Sequence, residues 1–251
     1  MSKKSYFTAE HQEVSGWVAP GALSFLLALN LFQQKSQIKG SVCEIGVHHG
    51  RYFLALANLL GSGESAVGFD IFGMQEKNVD KSGCGDFEIA QNNILKYFSS
   101  ASSKAKLVVA DSLKLTSKEI LDQCSQQVRL FSVDGGHTEY HAVNDLCLAQ
   151  EVITDGGVII VDDFYNPDWP GVAEGMNRFF ILNHLKKISP FAYGDNKLYL
   201  CDHLSRDRYF NYLANLKTPG IYRKEVKLWG YDSLHIRMPS PDIIDEAYYS
   251  A

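Results

Sequence analysis

The chain has no apolar run long enough to cross a bilayer. Its best candidate, Val18 to Phe32, is broken by Pro20, Gly21, Ser24 and Asn30, whereas a membrane helix needs about 20 consecutive apolar residues. The segment also lacks a clear small-residue cleavage site, which disfavours an export signal. It reads instead as an amphipathic helix begun by Pro20, covering a sheet edge or a partner subunit. Paired cysteines are missing too. The five present (Cys43, Cys84, Cys124, Cys147 and Cys201) form no Cys-x-x-Cys and are odd in number, and Cys43 and Cys201 fall in apolar strand-like runs. Buried thiols in a reducing, cytoplasmic compartment are expected. Positive charge does not dominate: the formal net charge is -5 and no Lys/Arg run of the kind that tracks phosphates occurs, which argues against broad electrostatic capture of nucleic acid and favours a small-molecule partner.

What is present is a chain of 251 residues, 45% hydrophobic, enough for one large core with appendages. Val42-Cys43-Glu44-Ile45 leads into Gly46-Val47-His48-His49-Gly50, and Phe53, Leu54, Leu56, Ala57, Leu59 and Leu60 follow. This is a buried strand, a glycine turn where a ligand could approach the backbone, and a helix packed on a sheet. Asp70 ends the apolar run Ser65-Ala66-Val67-Gly68-Phe69 of the next strand candidate, Ala66 to Ile71, where an acid would meet ribose hydroxyls. Further strand candidates lie at Leu107 to Ala110, Val128 to Val133 and Val158 to Val161. Helices are predicted over Asp86 to Phe98, capped by Asp86, and Glu139 to Val152, behind Thr138. The alternation predicts a parallel sheet. Ile188 to Tyr193, Gly194-Asp195-Asn196 and Lys197 to Cys201 read as a β-hairpin that adds an antiparallel strand.

Two strands end in acids, Asp134 after Val133 and Asp162-Asp163 after Val161. Ligands of open α/β sheets bind outside the carboxyl ends of strands, so these acids belong on the same rim as the Gly46 turn. Three carboxylates within about 4 to 6 Å repel one another and call for a cation, a protonated member or basic neighbours. Oxygen ligands suit Mg²⁺ or Mn²⁺ better than zinc. The plainer reading is that one or two of them cap helices or touch the cofactor amine. His137 lies just before a helix, where the dipole would keep a neutral imidazole available as a base.

Glu44-x-Gly46-x-x-x-Gly50, Asp70, Ala110-Asp111-Ser112, Asp134-Gly135-Gly136-His137-x-x-Tyr140, and Gly156-Gly157 leading to Asp162-Asp163 together resemble the class I S-adenosylmethionine-dependent methyltransferases. Within these, the sequence is similar to bacterial small-molecule and sugar O-methyltransferases. The resemblance covers residues 40–203, with an N-terminal helical extension at 1–39 and a C-terminal one of unassigned role at 204–251. It implies a doubly wound, Rossmann-like α/β fold: a mostly parallel seven-stranded sheet with the last strand antiparallel and helices on both faces. It places S-adenosylmethionine against Gly46, Gly50 and their turn, with Asp70 at the ribose, Asp111 and Ser112 near the adenine, and Glu44 holding the loop or the cofactor amine. Asp134 borders the cofactor and also serves as metal ligand with Asp162 and Asp163, and His137 matches a position where relatives carry histidine. Residues 70–86 resemble a mobile cover over the cofactor. Tyr52 departs from the small hydroxyl residue that is commoner after the turn.

The function implied is methyl transfer to a hydroxyl of a sugar or catechol-like acceptor, aided by Mg²⁺ or Mn²⁺. A nicotinamide oxidoreductase is disfavoured, because the turn is Gly46-x-x-x-Gly50 rather than Gly-x-Gly-x-x-Gly. A non-catalytic binding protein on the same fold is disfavoured by the intact acid set. An exposed apolar surface on the Ala22 to Phe32 helix would make a homodimer the expected state.

Overall fold

Strand and helix alternate along the chain as its apolar pattern predicts. The computed structural model describes residues 3–183 and 185–249. In order the elements are α1 (Lys3–Thr8), α2 (Pro20–Lys35), β1 (Ser41–Ile45), α3 (Arg51–Ala57), β2 (Ala66–Asp70), α4 (Phe87–Tyr97), β3 (Ala105–Val109), α5 (Ser117–Cys124), β4 (Val128–Val133), α6 (Glu139–Val152) and β5 (Ile153–Val161). Then follow α7 (Pro170–Leu182), β6 (Ile188–Gly194), β7 (Lys197–Asp202), α8 (Arg206–Ala214), β8 (Tyr222–Leu228) and β9 (Tyr231–Arg237). The predicted caps form: Asp86 accepts from the Ile89 N–H ahead of α4, and Thr138 accepts from the His141 N–H ahead of α6.

The strands build one mixed sheet in the order β3-β2-β1-β4-β5-β7-β6-β9-β8. β7 runs antiparallel to both β5 and β6, as the hairpin reading requires. The sheet has nine strands rather than seven, because β8 and β9 pair with each other and β9 joins the edge of β6 in parallel. β8 carries Tyr222-Arg223-Lys224-Glu225-Val226-Lys227 and is mostly solvent-exposed. Such a charged edge resists pairing with other chains, and it also hides the period-2 apolar signal that marks a strand in sequence.

Alternate residues of the central strands feed two apolar cores. On β4, Leu130 packs with α2 and α3, while Phe131 packs with α5, α6 and α7. α2 differs from its expected amphipathic form, for residues 21–30 are all buried. It crosses a sheet face rather than an edge: Phe25 stacks on Tyr199 with ring centroids 3.8 Å apart, and Phe32 packs against Tyr209 and Tyr212. The apolar surface on which a homodimer would rest is therefore covered within the chain. Among the described residues no helix is long and apolar enough to cross a membrane.

Arg129 is 2% exposed and stands where β4 passes beneath α2. Its guanidinium donates to both Glu64 oxygens, to Gln33 Oε1 and to the Leu59 carbonyl. Glu64→Ala would strand that charge, and a loss of about 3 kcal/mol in urea unfolding is expected. A double variant with apolar residues at both positions should recover most of it. A single-variant loss below about 1 kcal/mol, the range of an exposed pair, would contradict this view of the cluster.

Candidate active site

Register brings the acids together. Ile45 pairs with Val133 and Val133 with Val161, so the residues that follow these strands leave the sheet side by side. Two further bonds extend the ladder past the strand ends: Asp134 N–H to the Ile45 carbonyl and Asp162 N–H to the Val133 carbonyl, both 2.9 Å. The order of strands reverses between β1 and β4, the place where open α/β sheets bind ligands.

Two clefts open there. The first, about 870 Å³, is lined by Gly46, Asp70, Asp111, Ser112 and Asp134, with Ile71, Val79 and Ala110 as apolar walls. An apolar slot with carboxylates and a hydroxyl at its margins suits an adenosyl group. Asp70 accepts the N–H groups of His48 (2.7 Å) and Phe72 (2.6 Å), so it also shapes the glycine turn. Burial raises the Asp70 pKa against the pull of those donors. Asp111 accepts from the Leu113 N–H at 3.1 Å, fixing the loop that carries Ser112. Residues Gln75, Asn78, Asp80 and Ser82 line the same cleft, where the resemblance put a cover.

Glu44 and Gly50 lie elsewhere. Glu44 lines the second cleft, of about 1150 Å³, together with Tyr52, Asp134, His137, Asp162, Asp163 and Lys197. Gly50 lines neither cleft; at φ 91° it precedes α3, and its residue type serves a left-handed turn. Gly46 lines both clefts, but a Cβ there would meet the Asp134 carbonyl oxygen at 1.7 Å. The close approach that demands glycine is thus to the β4 backbone rather than to a ligand. Trp17, Gly46, His48, Gly83 and Asp134 are shared by the two clefts.

The second cleft is a strongly coupled polar chamber. Asp134 is pushed up by burial and by the neighbouring charge of Asp162. Glu44 is raised to about 8 by burial, which outweighs the attraction of Lys197. Ser132 on β4 also pulls against that rise. Lys197 is 2% exposed and donates to Asp162 at 2.6 Å, with its ammonium 4.2 Å from the Tyr52 ring centroid. Burial would strip its proton, but the charge of Asp162 holds it on. Lys197 is the basic neighbour that three acids require, and sequence reasoning missed it. Its signal was a lone cation opening the apolar run Leu198-Tyr199-Leu200-Cys201.

His137 reverses its expected state. Its Nδ1 lies 3.1 Å from Asp80 and its Nε2 lies 2.8 Å from Asp163. Burial opposes the imidazolium, yet the hydrogen bonds to Asp163 and Asp80 push its pKa up to about 10. Two adjacent carboxylates outweigh the helix dipole, whose effect is worth at most about 2 kcal/mol.

One donor atom each of Asp134, His137 and Asp163 lies within 4.8 Å of the others; the trio could take a divalent cation only with loss of the Nε2 proton that His137 shares with Asp163. Asp162 is less free than expected. One of its oxygens accepts the Asp163 N–H and the other accepts from Lys197.

Residues 43–164 match a family model described as a methyltransferase domain. Among solved structures, the O-methyltransferase NovP superposes with a TM-score of 0.59 at 12% identity, over 72% of this chain and 79% of that one. The O-methyltransferase TomG from Streptomyces achromogenes, involved in tomaymycin synthesis and solved in complex with SAM, has a TM-score of 0.50 at 14% identity, over 80% and 88%. At such identities these likenesses concern the fold alone. No curated protein matches the chain by sequence. The match runs from β1 to just past the end of β5, in agreement with the resemblance read from its motifs.

Proposed function

We propose that this chain, an enzyme built on a class I S-adenosylmethionine-dependent methyltransferase domain, methylates a hydroxyl oxygen of a small polyhydroxylated or catechol-like acceptor. Residues 40–203 are the catalytic unit in this reading. The N-terminal extension contributes Ser15, Gly16, Trp17, Val18 and Ala19 to the acceptor wall. The observation that carries the reading is Asp134, which lines the apolar-walled first cleft and the acid-lined chamber at once.

S-adenosylmethionine, when bound, supplies an electrophilic methyl on a sulfonium sulfur. The Gly46 turn, Asp70, Asp111 and Ser112 would hold it. The chain's own work is positioning, which can contribute about 7 kcal/mol or more when reacting atoms are held in line. The acceptor proton has a taker in the Asp134 carboxylate, since a carboxyl raised by burial and like charge is a better base than an exposed one. Asp134, Asp163 and His137 would hold a divalent cation, which lowers the pKa of a hydroxyl it touches. Lys197 holds Asp162 in place.

The roles separate by mutation. Asp70→Ala should raise the calorimetric Kd for S-adenosylhomocysteine by about tenfold or more, because a buried charged acceptor and the turn it anchors are both lost. Asp162→Ala should leave that Kd within about twofold and remove most turnover, because Lys197 loses its partner. Equal losses of cofactor affinity would refute the division. A screen of sugar and catechol acceptors with methyl-labelled cofactor, with and without EDTA, tests reaction class and cation need together. Binding of NAD(P) in place of S-adenosylhomocysteine would overturn the reading.

A further inference from the structure

Asp80 belongs to the segment between β2 and α4, far along the chain from the acid cluster, yet its carboxylate reaches that cluster. One oxygen stays at home, accepting from the Ser82 N–H at 2.9 Å and the Ser82 hydroxyl at 2.6 Å. The other crosses to the loop before α6, accepting from the His137 main-chain N–H at 2.6 Å and facing Nδ1 at 3.1 Å. The opposite ring nitrogen, Nε2, is 2.8 Å from Asp163. Trp169 stacks on the imidazole with centroids 4.4 Å apart and planes 20° from parallel. The ring is thus fixed from two separate segments, the β2–α4 connection and the loop between β5 and α7.

The segment that delivers Asp80 is shaped to do so. Asn78 donates to the Gln75 side chain and to the Ser82 and Gly83 carbonyls, while Lys81 and Gly83 take φ values of 57° and 58°. These bonds hold a turn whose residues line the first cleft. We propose that Asp80 is a positioning residue that couples the two clefts: it latches the 75–83 roof over the methyl donor and, through the same oxygen, aims His137 Nε2 into the acceptor chamber. The proposal rests on the first cleft being the S-adenosylmethionine site. Enclosure of the donor and completion of the acceptor site then become one event, which keeps water from the donor until both are in place.

Asp80→Asn separates the two duties, since a single amide oxygen cannot serve both Ser82 and His137 and its NH₂ faces donors on the other side. Trypsin has two sites in the roof, after Lys77 and Lys81. In the variant, cleavage there with S-adenosylhomocysteine present and the dissociation rate of that ligand should both rise about tenfold, as for a lost charge-assisted bond. kcat should fall by a similar factor, with the acceptor KM within about twofold, a split that general loosening would not produce. Asp80→Ala should behave alike, which guards against an effect peculiar to the amide. Cleavage and dissociation within twofold of the wild type would overturn the latch. Failure of the wild type to bind S-adenosylhomocysteine would instead overturn the reading of the cleft, and the enclosure with it.

Discussion

Asp134→Ala should lower kcat by on the order of 100-fold or more while the protein becomes no less stable at neutral pH. The two halves of this expectation have one origin. Asp134 is placed by the β4 to β1 ladder at the boundary of donor and acceptor clefts, where it can take the acceptor proton and help hold a cation. It is also a buried acid beside Asp162, Asp163 and Glu44, and burial and Asp162 raise its pKa. A carboxyl whose folded pKa lies above its unfolded one adds stability only below the unfolded value and loses it as pH rises through the folded value. At neutral pH in EDTA the buried acid is therefore a cost that alanine removes, and the thermal midpoint should hold or rise. At a pH below the ordinary carboxylate range the difference should vanish. A drop in midpoint matching the drop in rate would make Asp134 structural, and a kcat within tenfold of wild type would remove it from the chemistry.

The sequence revealed those features that local pattern encodes. Apolar runs ending in Asp70, Asp134 and Asp162 marked β2, β4 and β5 and their functional rim, and the Asn196 turn marked the β6–β7 hairpin. The adjacency of Asp134 and Asp162 followed once parallel neighbours were assumed, and the register bears it out. What stayed hidden depends on contacts between distant segments. Nothing near Asp80 in sequence shows that it meets His137, so the imidazole was expected to be neutral rather than charged. Lys197 closes the charge balance of the acids from 35 residues away. The strands of the C-terminal hairpin were masked because an exposed, charged edge does not alternate apolar with polar. The α2 helix was read as covering a sheet edge or a partner subunit, whereas it lies on a sheet face and residues 206–214 and the tail fold back to bury it.

The largest loss of stability is expected from the smallest substitution. Gly46 and Gly50 share one backbone conformation, φ 90° and 91°, so strain alone would penalise alanine at both by about 1 to 2 kcal/mol. They differ in surroundings. A Cβ on Gly50 would find its nearest contact, the Leu54 side chain, at 3.9 Å, while a Cβ on Gly46 would sit 1.7 Å from the Asp134 carbonyl oxygen. Neither backbone can yield cheaply, because Gly46 N–H is bound to the Phe69 carbonyl at 2.9 Å and Asp134 N–H to the Ile45 carbonyl at 2.9 Å. Relief would part β1 from β4 at the point where both clefts meet. Gly46→Ala should therefore cost more than about 4 kcal/mol, in the range reserved for broken cores and backbone clashes, and abolish S-adenosylhomocysteine binding. Gly50→Ala should cost only the strain and keep binding within a few-fold. Urea unfolding of the two variants side by side decides the matter: equal losses would mean that conformation, and not the packing of the turn against β4, is what demands glycine at Gly46.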